Sequence, residues 1–320
     1  MVCIRTNSMK RNITIGTRGS QLALYQARKV KATLEDLFPE ITVELEIIKT
    51  KGDKILDVAL SKIGDKGLFT KEIENALIDG TADIAVHSLK DLPTTLPEGL
   101  KLGAVLERGE FRDALVSKHG KKLSEMGAGD IIATSSLRRQ AGLMKMNNQI
   151  IIKDIRGNVN SRLQKMEDGY CDAMIMAAAG LQRLGLDRYI TEIIDPEIIV
   201  PAVSQGAIAI EIRMNDPEIE LLMQKINHTE TWNAIVAERA FLAHLEGGCQ
   251  IPLGCFSKVE NGLLTMNGFV ASLDGKKFIN ETISGDIGKG AELGVQMAEK
   301  MLARGAKEIL DQIRSIKPTN

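Results

Sequence analysis

Cysteine is scarce: Cys3, Cys171, Cys249 and Cys255 are the only four in 320 residues, and they follow no regular spacing. That excludes a disulfide framework and leads us to expect a reducing compartment, the cytoplasm. C-x-x-C and H-E-x-x-H are both missing, and His87, His119, His228 and His244 show no ligand spacing, so no protein-built metal site is expected. No charge sign dominates, with 41 Lys and Arg against 42 Asp and Glu. The molecule therefore has no overall field for nucleic acid or an anionic membrane, and affinity for anions must come from local clusters. Nowhere do about 18 uninterrupted apolar residues occur. The opening MVCIRTNSMKRN is basic but has no apolar stretch of a secretion signal. Neither export nor membrane insertion is expected.

What is present is a 44% hydrophobic chain, long enough for two or three domains with real cores. Strands and helices alternate through the first two thirds. NITIGT at 12–17 reads as a strand, and 20–38 as a helix with Ala23, Ala27, Val30, Leu34 and Leu37 on one face and Ser20 as its cap. The alternating ITVELEII at 41–48 predicts a strand with one wet face, and 61–80 a glycine-punctuated loop followed by a short helix. Further strands are expected at 82–88, 130–135, 149–156 and 172–179, with helices over LRRQAGLMKM and VNSRLQKMEDG. Repeated β-α-β units imply mostly parallel sheets covered on both faces. After 202–213 and a helical 233–248 the pattern changes. Two alternating segments, 263–272 and 276–285, and a helix over 292–313 predict a small α+β domain whose entry loop carries Cys249. No internal repeat or low-complexity linker is visible.

Ligands of open α/β sheets bind beyond the carboxyl ends of the strands, and here those ends are rich in hydroxyls and cations. Strand 12–17 runs into Thr17, Arg18, Gly19 and Ser20, and strand 82–88 into Ser88, Leu89, Lys90 and Asp91. Strand 130–135 runs through Thr134 into Ser135, Ser136, Leu137, Arg138 and Arg139, and strand 149–156 ends on Arg156, with Arg162 a turn or two later. Such clusters suit carboxylates or phosphates. Each also has a plainer reading. Arg138 and Arg139 fit a solvated helix start, Asp91 a turn cap before Pro93, and His87 a hydrogen-bonded core residue. Lys62 and Lys66 fit an ordinary lysine-bearing surface or a mobile loop. Cys249, after two glycines and before a proline, is open to five readings: packing residue, disulfide half, metal ligand, nucleophile or attachment point.

Eight sequence runs, in order, carry a resemblance. They are TRGSQLA (17–23), KGLF (66–69), ADIAVHSLKDLP (82–93), TSSLRRQ (134–140), RGNV (156–159), AAAGLQRLGL (177–186), PAVSQGA (201–207), and AERAFL with LEGGCQIPLG (237–254). From residue 12 onward the sequence resembles the hydroxymethylbilane synthase family, also called porphobilinogen deaminases. Two departures stand out: Ser204 where glycine is frequent in the family, and the extension 1–11.

The resemblance implies an α/β fold of two periplasmic-binding-protein-like domains, 12–105 with 200–222 and 106–199, and a smaller C-terminal α+β domain, 223–320. It implies a transferase of tetrapyrrole (haem, porphyrin) biosynthesis, monomeric, that deaminates porphobilinogen and joins four units on a covalent dipyrromethane before hydrolytic release. Cys249 Sγ would carry that cofactor as a thioether, and Gly247 and Gly248 would keep bulk away from it. Asp91 would stabilise positive charge and accept pyrrole N–H groups. Lys90, Ser136, Arg138, Arg139 and Arg156, with Ser88, Thr134 and Ser135, would bind the cofactor. Arg18, Ser20, Arg162, Arg183 and Gln205 would bind substrate carboxylates, and Lys62 and Lys66 would sit on a loop over the cleft. Two other classes remain. A periplasmic-type receptor explains paired α/β domains but needs neither Cys249 nor a third domain. A cysteine-nucleophile transferase wants a nearby base, and His244 is the only local histidine.

Overall fold

The computed structural model describes residues 12–54, 67–245 and 251–316; Lys62, Lys66, Cys3, Gly247, Gly248 and Cys249 lie outside the described residues. The described chain forms two compact units.

The first unit comprises 12–54, 67–107 and 208–228. Strand β1 (Asn12–Thr17) enters helix α1 (Gln21–Leu37), whose cap Ser20 accepts the Ala23 N–H at 3.3 Å. Ala27, Val30 and Leu34 of α1 are fully buried, whereas Leu37, expected on the same face, is largely exposed at the helix end. There follow β2 (Thr42–Ile47), α2 (Lys51–Lys54), α3 (Lys71–Ile78), β3 (Ile84–Ser88) and β4 (Leu100–Val105). The chain returns through β10 (Ile208–Arg213) and α7 (Pro217–Ile226), which Asp216 caps and Pro217 opens. The sheet order is β2-β1-β3-β10-β4, with β10 antiparallel to both neighbours. Its core packs Ile13, Ile15, Ile84 and Ile210 against α1 and against Ile219 and Met223 of α7.

In the second unit, β5 (Asp113–Ser117), β6 (Ile131–Ala133), β7 (Ile151–Lys153), β8 (Ala173–Ala177) and β9 (Glu192–Ile193) form a sheet in the order β7-β6-β8-β5-β9. Here β5 is the strand antiparallel to both neighbours, so each sheet runs one strand, in the same fourth place, against the rest. Helices α4 (Leu137–Met146), α5 (Val159–Glu167) and α6 (Ala178–Arg183) follow β6, β7 and β8. The same unit holds α8 (Thr229–His244), the antiparallel sheet β11 (Leu253–Glu260), β12 (Leu263–Ala271) and β13 (Phe278–Asp286), and helices α9 (Gly290–Ala303) and α10 (Ala306–Ile316). Phe241, Leu264, Met266, Met297 and Met301 form a core of their own there.

Several expectations change. The strand foreseen over 149–156 spans only β7, an edge strand with one neighbour. Within 202–213 the chain is a strand only from Ile208, because Ser204 (φ 61°) and Gly206 (φ 89°) turn the chain before it. One helix over 292–313 is two, broken at Gly305 (φ 96°). The C-terminal sheet gains a third strand, β11.

Candidate active site

In the first unit, β1 and β3 end side by side. Arg18, Ser20, Gln26, Phe69, His87, Ser88 and Asp91 line a cavity of about 70 Å³. The Ser88 hydroxyl and Gln26 amide meet at 2.8 Å, which ties the end of β3 to α1. His87 is buried, with Nε2 3.1 Å from the fully buried Glu211 of β10, in keeping with a hydrogen-bonded core histidine. Asp91 closes the short turn after β3 and is exposed. No side chain among the described residues bonds its carboxylate. Lys90 precedes it, half-buried. Arg18 is engaged on one edge: Nη2 donates to Asp53 Oδ1 at 2.5 Å, and Cζ lies 4.2 Å from the Phe69 ring centroid.

In the second unit the end of β6 is used differently. The Ser135 hydroxyl donates to the Ile155 carbonyl (2.9 Å) and accepts the Ile155 N–H (3.0 Å), clipping β6 to the end of β7. Thr134 is buried and its hydroxyl accepts the Ser136 N–H at 3.3 Å. Ser136 stands at the cap position of α4 without making the cap bond, which leaves its hydroxyl out of the helix. Arg138 and Arg139 are buried, not solvated. Both donate at 2.7 Å to Asp113, Arg138 to Oδ2 and Arg139 to Oδ1, and each also reaches a backbone carbonyl, Val200 and Ile175 respectively. Burial pushes the Asp113 carboxyl up, but the two guanidinium groups outweigh it and hold it far below the usual carboxylate range. Gln205 donates to the same Asp113 Oδ1 at 3.0 Å, Arg183 to the Gly206 carbonyl at 2.5 Å, and Arg162 to the Gly157 carbonyl at 2.8 Å. Among the described residues two buried side-chain nitrogens have no protein partner, Arg139 Nε and Arg156 Nη1.

The structure thus groups Arg18, Ser20, Ser88 and Asp91 on one unit and gathers Arg138, Arg139 and Gln205 around Asp113 on the other. Asp53, Asp113 and Glu238 are absent from the sequence reading. Glu238 is fully buried, accepts Arg108 Nη1 at 2.6 Å and receives the N–H groups of Ser204 and Ser257. The available signal for Asp113 is an acidic residue opening an otherwise largely apolar strand, DALVS. Among the described residues no acid, histidine and cysteine cluster could hold a metal, and Cys171 and Cys255 are buried thiols that burial pushes up, away from reactivity.

Two α/β sheets of matching strand order, with arginines and hydroxyls where strands pass into helices, and an antiparallel α+β module define a mixed α/β protein. Its residues 13–221 match the family model "Porphobilinogen deaminase, dipyromethane cofactor binding domain", and 232–303 match "Porphobilinogen deaminase, C-terminal domain". A curated porphobilinogen deaminase from Desulforamulus reducens is 50% identical over 96% of this chain and 99% of its own. One from Nostoc sp. is 47% identical over 96% of each. Among solved structures, a probable amino-acid transporter extracellular-binding protein of Bacillus subtilis is similar at 13% identity and TM-score 0.42, over 67% of this chain and 89% of that one. The chain belongs to the porphobilinogen deaminase family.

Proposed function

We propose that the chain deaminates porphobilinogen, couples four units head to tail and releases hydroxymethylbilane by hydrolysis, acting as a monomer in the cytoplasm. No helix among the described residues is long and apolar enough to cross a membrane. The observation that carries the reading is the Asp91 carboxylate, open at the end of β3 in one cavity with Arg18 and Ser20. When ammonia leaves, the C–N electron pair goes with nitrogen and the pyrrole is left cationic. A carboxylate about 4 Å away stabilises that cation by about 4 kcal/mol at an effective dielectric near 20, before desolvation. Arg18, Ser20, Arg162, Arg183 and Gln205 bind the acetate and propionate arms in this reading, with Lys62 and Lys66 on a covering loop.

The residues present fit a polyacidic cofactor: Arg139 Nε and Arg156 Nη1 are buried donors without a protein partner, and the Ser136 hydroxyl is unspent by its helix. Lys90, Ser136, Arg138, Arg139 and Arg156, with Ser88, Thr134 and Ser135, would hold a dipyrromethane, covalently attached at Cys249. When bound, that group supplies the primer on which the chain is built. The three-domain division, 12–105 with 200–222, 106–199 and 223–320, belongs to the same reading.

The test is turnover by cofactor-loaded Asp91→Asn, Asp91→Glu and Asp91→Ala, with intact mass confirming loading. Asn should lose turnover number and specificity constant together, and Glu should keep more activity than Asn or Ala. A loaded Asn variant that turns over like wild type would return Asp91 to a turn cap. In parallel, Cys249→Ser should have the bare sequence mass, while substitution at Cys171 or Cys255 should leave the added mass in place.

A further inference from the structure

Arg18 is held on two sides by groups that the reading above does not use. Its Nε and Nη2 edge faces Asp53, with Nη2 to Oδ1 at 2.5 Å and Nε to Oδ1 at 3.2 Å. One face of the guanidinium lies on Phe69. Asp53 is itself pinned, because its Oδ2 accepts both the Thr50 hydroxyl at 2.8 Å and the Thr50 N–H at 3.2 Å, and Thr50 is fully buried. What is left is the outer edge, Nη1 with the second hydrogen of Nη2, which donates to no protein group among the described residues. That edge is itself a two-donor fork of the kind that takes a carboxylate end-on.

We infer that Asp53 is a positioning residue, which locks the Arg18 guanidinium against Phe69 so that its outer fork is presented to a substrate carboxylate. The inference rests on the reading that Arg18 binds substrate. An opposite reading, in which Asp53 merely competes with the substrate for Arg18, fits the exposure less well. The two side chains are 24% and 30% exposed, so water screens the neutralisation. The fork's orientation is not screened, and an unfixed arginine loses rotamer freedom each time it binds.

The experiment measures binding, by calorimetry on the cofactor-loaded enzyme, of porphobilinogen lacking its aminomethyl group, a ligand with both acid arms and no leaving group. Asp53→Asn keeps the shape and removes the charge-assisted grip. It should weaken binding about fivefold and raise KM by a similar factor, with kcat nearly unchanged. Thr50→Val should give a smaller loss in the same direction. In an Arg18→Lys background, where no fork exists to be aimed, Asp53→Asn should have no further effect. Asp53→Glu, with melting curves for all variants, guards against a folding defect and should bind better than Asn. Binding unchanged or tightened in Asp53→Asn, or an equal loss in the Arg18→Lys background, overturns the positioning role while Arg18 keeps its place. If Arg18→Lys alone leaves binding unchanged, Arg18 is not in the substrate site and both readings fall.

Discussion

The starts of α1 and α4 use the same parts to opposite ends. Each follows a strand, carries a serine at its cap position, and sets arginine against an aspartate from elsewhere in its own unit. Around α1 the pair is partly wet, Arg18 24% and Asp53 30% exposed. Around α4 it is sealed: Arg138 and Arg139 are 5% and 8% exposed and Asp113 not at all. A half-exposed pair contributes about 0–1 kcal/mol and can exchange partners, whereas two charges sharing one buried carboxylate cannot be parted cheaply. Chain position therefore does not reveal how firmly an arginine is held; the burial of its counter-ion does. Of the second unit's arginines, Arg139 and Arg156 keep buried nitrogens, Nε and Nη1, with no hydrogen-bond partner among the described residues.

That contrast is broken most directly by removing the two aspartates. Asp113→Ala should destabilise the protein by about 3–5 kcal/mol, because it strands two buried guanidinium groups. Asp53→Ala should cost less than about 1 kcal/mol. Urea unfolding compares them, and equal losses would erase the distinction.

A finer separation comes from acid. Asp113 has its folded value lowered from 3.8, burial being outweighed by Arg138 and Arg139. A depressed carboxylate gives its full stabilisation above the unfolded value and loses it as pH falls through the folded one. The stability gap between wild type and Asp113→Asn should be flat from about pH 7 to about pH 5 and narrow below 3.8. Asp53, also lowered, is only partly buried, and its gap should hardly move.

The smallest effect lies beside the sealed cluster. Ser204 adopts φ 61°, in the left-handed region, and its buried hydroxyl has no partner, while its N–H donates to Glu238 at 2.6 Å. Ser204→Gly keeps the N–H and removes both the strain and the orphan hydroxyl, against a glycine entropy cost of about 0.5–1 kcal/mol. A net gain of about 1 kcal/mol in the same urea assay is expected, and a loss would show that the hydroxyl has a partner after all.

Much of this was legible in the sequence. Period and cap predicted α1 with its Ser20, the turn after β3 carried Asp91, and LRRQAGLMKM gave α4 residue for residue. What escaped was short or compromised. β5 is five residues opening on a charge, β4 contains Lys101 and Gly103, and β11 follows so closely on the glycine-rich sequence before it that its alternation is lost. α7 lies outside the sequence expectations, although Asp216 and Pro217 are ordinary start signals. The counter-ions Asp53 and Asp113 escaped for another reason. They meet their arginines across 35 and 25 residues of chain, and no local pattern encodes such a pairing.

The return of the chain through β10 also sets an order of assembly. β10 sits between β3 and β4, and among the described strands β4 pairs with nothing else. During synthesis the first sheet must wait while the 100 residues from 108 to 207 are made, about 5–20 s at roughly 5–20 residues per second. Throughout that interval β3, the strand that ends beside Asp91, has one edge unpaired and its isoleucine and valine side chains only partly covered. The second sheet has all five of its strands by Ile193. It can close first, so the sheet whose synthesis begins earlier is the one completed later.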